Sequence, residues 1–79
     1  MNKELEMLRE IEKNIKFFNE KYNEIIEKYR GKWIVIKNKK ILLAANSLDK
    51  IYKIIKRRKI NIHGALIEYI PQKNEAWII

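Results

Sequence analysis

Apolar side chains at Leu8, Ile11, Ile15, Phe18, Tyr22, Ile25 and Tyr29 recur at spacings of 3, 4, 3, 4, 3 and 4 residues, with no Gly or Pro between Asn2 and Arg30. In an α-helix those positions share one stripe, whereas a strand would send alternate residues to opposite faces. Phe17 and Ile26 widen the stripe toward its C-terminal half, and Glu12–Lys16 and Glu24–Lys28 stand as i,i+4 pairs on the polar side. Gly31 supplies the stop. More than a third of the chain is thus committed to one amphipathic helix.

The same period fits a coiled coil, but the flanks do not support one. With Leu8 at position a, a parallel pair sets Asn14 against Asn19 and Lys21 against Ile26, with no charge complementarity. The helix therefore reads as docked on its own domain.

After Gly31 the period changes to two. Lys32–Lys37 and Lys40–Ala44 are β-branched and apolar runs around Asn38-Lys39, a hairpin with Asn able to take positive φ in the turn. Asn46 or Ser47 caps a second helix, with Asp49 in its first turn and Leu48, Ile51, Tyr52 and Ile55 as its apolar stripe. Ile60–Gly64 is a connector, Ala65–Ile70 a third strand ended by Pro71, and Ala76–Ile79 a candidate fourth. The fold class is α+β: a long N-terminal helix, then a β-β-α-β(β) module with a small, mainly antiparallel sheet.

The strands are apolar on both faces, Trp33 and Val35 opposing Ile34 and Ile36. Such a sheet needs cover on both sides. The second helix can cover one, so the first helix or another protein must cover the other. Length adds a constraint. Asn2–Arg30 would span roughly 40 Å as a straight helix, while a compact body of the remaining residues is about 25 Å across. The turns around Leu5, Leu8 and Ile11 are therefore expected to project and meet a partner, most simply a second copy.

Residue inventory argues against an enzyme. There is one Ser, one Asp, one His, and neither Thr nor Cys in the 79 residues. Nucleophilic catalysis needs a nucleophile beside an oriented base, and Ser47 and Asp49 already serve as helix-start residues. Seven of the nine glutamates lie before Gly31 in a solvated pattern, and His63 is a lone histidine in a connector. No catalytic, metal or cofactor residue is assigned, and no cofactor is expected. No apolar run approaches the roughly 20 residues that cross a bilayer, and Met1–Glu10 is unlike a signal peptide. The expectation is a single cytoplasmic domain, residues 1–79, without a membrane partner.

Charge divides at Gly31. Before it, seven acids balance seven bases; from Gly31 on, eleven bases face three acids, so the whole net charge of +8 lies there. Lys50, Lys53, Lys56, Arg57, Arg58 and Lys59 on or beside the second helix form the candidate nucleic-acid contact. Lysine, isoleucine, asparagine and glutamate dominate the entire chain, however, and cations at a helix C-terminus are favoured by the dipole without any ligand.

Residues 29–79 carry a recognisable order: Tyr29-Arg30-Gly31-Lys32-Trp33-Ile34-Val35-Ile36, a strand ending at Ala44, a helix opening at Ser47-Leu48, then Tyr69-Ile70-Pro71 and Glu75-Ala76-Trp77-Ile78. This resembles a family of short archaeal and bacterial domains of unknown function, with an aromatic-x-Gly-Lys-Trp-Val start and a Glu-Ala-x-Ile tail. The chain departs from that pattern at Asn38-Lys39 and Asn46, where Gly is usual. The resemblance implies no catalytic residues. It implies a small partner in a two-protein arrangement, similar to an antitoxin or a regulatory subunit.

The leading expectation is thus a non-catalytic interaction module that forms a homo-oligomer, most simply a dimer, or binds a small protein partner. Its surface is placed on Leu8, Ile11, Ile15, Phe18 and Trp77, together with an uncovered sheet face. Sequence-independent nucleic-acid binding by the second helix is the alternative.

Overall fold

The computed structural model describes residues 3–72. Helix α1 (Lys3–Glu20) runs into α2 (Tyr22–Lys28), followed by β1 (Lys32–Lys37), β2 (Lys40–Ala45), α3 (Leu48–Arg58) and β3 (Leu66–Ile70). The sheet is antiparallel with β1 in the centre, in the order β2-β1-β3. The α+β reading holds for these elements. The fourth strand expected at Ala76–Ile79 lies outside the described residues, as does Trp77.

Helices cover both faces of the sheet. Ile34, Ile36 and Ile70 point toward α1 and α2, forming a core with Ile25 and the flanking Phe17, Phe18, Ile26 and Tyr29. On the opposite face lie Trp33, Val35 and Tyr69, and α3 packs against β1 and β2. Ile34, Val35, Ile36 and Ile51 are all fully buried, so β1 is wrapped from both sides. The first helix, not a second protein, supplies the missing cover. The sheet face expected to be open is closed.

The N-terminal helix is bent rather than straight. Lys21 has φ −104° and ψ 14°, well away from the helical ψ near −42°. The ladder nevertheless carries on, with Lys21 N–H donating to Phe17 O (3.0 Å) and Ile25 N–H to Lys21 O (2.9 Å). No Pro or Gly sits at the bend, which is bracketed by an edge-to-face contact of Phe18 on Tyr22 at 5.5 Å. Packing accounts for it. Strands of five or six residues are only about 20 Å long, and the bend folds Ile25 and Tyr29 onto them. Among the described residues neither Glu12–Lys16 nor Glu24–Lys28 forms; Lys21–Glu24 and Arg30–Glu27 form instead, at i,i+3.

Local chemistry sets the remaining boundaries. Asn38 and Lys39 both have positive φ (54° and 59°), the signature of a tight hairpin turn whose twist matches the strands. Leu42 is the extra residue of a bulge, since Val35 pairs with Leu43 but Ile36 pairs with Ile41. Ser47 caps α3, its Oγ accepting from Lys50 N–H at 3.2 Å. Tyr52 is not on the buried stripe of α3 but half exposed, because that helix buries the side centred on Ile51. Ala65 precedes β3 and donates to Ile62 O at 2.9 Å. The molecule measures 45 × 29 × 22 Å with a radius of gyration of 13.4 Å, longer than the roughly 12 Å of a compact chain this size.

Candidate functional site

The outer flank of α1 is the most unusual surface. Leu5, Leu8, Ile15 and Tyr22 are 40–54% exposed, on the same helical run whose other side buries Ile25. Their position follows from what points inward. Asn14 is 2% exposed and faces the sheet side, and Ile15, one residue on, stands about 100° further round the helix. The opposite flank, with Phe17, Lys21 and Glu24, borders a groove lined by Ile41 of β2. The apolar ridge is therefore on the side of α1 away from β2. Ile11 and Phe18, expected to belong to the interface, are half buried, and Phe18 packs on the core beneath the ridge.

Asn14 is the residue that sequence reasoning missed. Its Nδ2 donates to Gly64 O at 2.9 Å and its Oδ1 accepts from Lys39 N–H at 3.0 Å. One side chain thus ties α1 to the hairpin turn and to the connector before β3. A buried amide with both ends satisfied fixes rotation and register where apolar packing alone would tolerate slippage. Gly64 has φ +76°, and a Cβ there would stand 2.9 Å from Glu10 Cβ, so glycine is needed for both backbone and fit. Lys37 Nζ closes the same corner by donating to His63 O at 2.7 Å. The only sequence signal was an Asn set among Ile11, Ile15 and Phe18 without a turn or cap to explain it.

This corner also holds a half-open pocket of about 200 Å³ lined by Glu10, Lys13, Asn14, Lys37, Asn38, Lys39 and Gly64. Its one buried polar group is already used by Gly64 and Lys39, and Lys37 by His63. It works as a joint between elements.

The cations of α3 are all exposed, as expected. At 100° per residue, Lys50, Lys53 and Arg57 share the outer side of the helix, while Lys56 and Arg58 fall on opposite flanks. Lys53 pairs with Asp49 at 3.3 Å in a solvated i,i+4 contact, worth little at such exposure. Charge is thus spread around the helix rather than gathered in a groove. Trp33 is half buried against its cross-strand partner Tyr69 at 5.3 Å, a packing role.

Among the described residues, no cluster of three or more His, Cys, Asp or Glu is placed to hold a metal. No helix there is long and apolar enough to cross a membrane.

A family described as "Family of unknown function (DUF5678)" matches residues 24–73, which is 50 of the 79 residues, and the chain belongs to that family. The match takes in most of α2, the whole sheet and α3, and it starts after α1. Lys39 and Gly64 therefore lie inside it, while Asn14 and the ridge lie outside. Among curated proteins and among solved structures, nothing matches the chain.

Proposed function

We propose that this chain is a small non-catalytic interaction module whose sheet and α3 form a rigid body and whose α1 offers its outer flank to a protein. One observation carries the reading. Leu8 and Ile15 of α1 and Tyr22 of α2 expose large apolar side chains along one line, with exposed Leu5 beside its start, and exposed apolar surface gathered on a small domain marks an interaction site. Leu8 and Ile15 are not among the side chains that pack the core, which Ile25, Ile34, Ile36 and Ile70 fill below, while Tyr22 sets its ring edge-to-face on Phe18. The sheet face is left out of the proposal, since α1 packs on β1 and β3 and α3 packs on β1 and β2.

The test compares two double variants. Leu8→Ser with Ile15→Ser removes association, whether with itself or with a protein partner, and leaves the fold intact. Arg57→Glu with Arg58→Glu leaves association unchanged. Association that survives the first pair and is lost with the second, alongside loss of binding to a labelled duplex, moves the function to α3 and overturns the proposal.

A further inference from the structure

We infer that the ridge of α1 docks on the same ridge of a second copy, the two helices antiparallel about a two-fold axis that passes Ile15. The inference rests on the interaction reading above and names its partner. Leu8, Ile15 and Tyr22 are evenly spaced at seven residues, so Ile15 is the midpoint of these three, while Leu5 stands off their line. Reversing one copy about that midpoint sets Ile15 on Ile15 and Leu8 on Tyr22, which makes the surface its own complement. This is the condition a two-fold interface must meet.

The flank beside the ridge obeys the same symmetry. Glu12 and Lys16 are exposed, and neither takes part in the ion pairs formed among the described residues. In the antiparallel register Glu12 of one copy comes within about 3 Å along the axis of Lys16 of the other, on the same flank. The pair occurs twice. A parallel register offers no such match, with Lys21 against Ile26. Asn14 contributes by holding the helix at the rotation that turns Ile15 outward.

One helix about 27 Å long gives a contact at the small end of specific interfaces, so dissociation in the micromolar range is expected. The chain has no cysteine, which makes the axis testable. Ile15→Cys should form a disulfide-linked dimer under mild oxidation, whereas Leu8→Cys should cross-link when mixed with Tyr22→Cys and not with itself. Glu12→Lys and Lys16→Glu should each weaken self-association by at least about tenfold in sedimentation equilibrium. Mixed in equal amounts, those two chains should associate with each other, since one then carries both cations and the other both anions. Cross-linking at Ile15 with rescue in the mixture supports the two-fold pair. A wild-type chain that stays monomeric at millimolar concentration, with no Ile15 cross-link, overturns it. If the Leu8→Ser, Ile15→Ser chain then still loses a bound host protein, the second copy fails alone; if it loses nothing, the interaction reading fails as well.

Discussion

Ile36 and Ile15 are the same side chain in opposite circumstances. Ile36 lies in β1, is fully buried and packs with Ile25, Ile34 and Ile70; Ile15 lies in α1, 40% exposed, above a core that is complete without it. The difference separates two parts of the molecule. The family match from residue 24 to 73 contains the sheet, α3 and most of α2, and most of its apolar residues are spent on the domain's own interior, Leu42 and Tyr52 being the exposed exceptions. Helix α1 divides its apolar residues between that interior and solvent. A single stripe in the sequence thus serves two purposes, and Asn14 sets where one ends and the other begins.

The largest expected effect lies in the sheet. Ile36→Ala should destabilise the monomer by about 2–5 kcal/mol, a large share of the roughly 4–12 kcal/mol expected for a domain of this size. Ile15→Ala should stay within about 0.5 kcal/mol at low concentration. Paired urea titrations measure both, and equal losses would erase the distinction between the two regions.

Asn14→Ala comes next, at about 1–3 kcal/mol, because it strands the buried Gly64 carbonyl and removes the partner of the part-buried Lys39 amide. Amide exchange at Lys39 should accelerate in that variant before exchange in β1 does. A loss of stability with Lys39 still protected would mean that the turn does not depend on α1.

A smaller change runs the other way. Lys39 holds φ 59° in the hairpin turn, a conformation that costs a residue with a Cβ about 1 kcal/mol, and Asn-Gly is the favoured pair there. Lys39→Gly keeps the N–H that Asn14 needs and should raise the denaturation midpoint by an amount of that order. Smallest of all, Arg57→Glu with Arg58→Glu should move stability by no more than about 0.5 kcal/mol, since both side chains are exposed on α3.

Much of the fold was legible because periodicity and punctuation agree. The 3-4 spacing before Gly31, the Asn38-Lys39 turn and the Ser47 cap each correspond to an observed element or boundary. What could not be read depended on contacts distant in sequence. Asn14 meets Gly64 fifty residues away, and nothing local to either residue announces the pairing. The bulge at Leu42 and the bend at Lys21 have no Gly or Pro to mark them; both adjust the backbone to the packing of the whole. For the candidate surface, the stripe was visible, but its width concealed which edge faces out. Leu8 and Ile15 are exposed, Ile11 and Phe18 are half buried, and the sheet face expected to stay open is covered by the same helix whose first turns leave Leu5 and Leu8 exposed.

Dilution of isotope-labelled protein from millimolar to low micromolar, followed by backbone amide spectra, tests the central claim most directly. Resonances of residues 5–22 should shift with concentration, while those of β1, β2 and α3 stay in place. Shifts centred on Lys50–Lys59, or spectra that do not change over the whole range, would contradict the assignment of the α1 ridge as a self-docking surface.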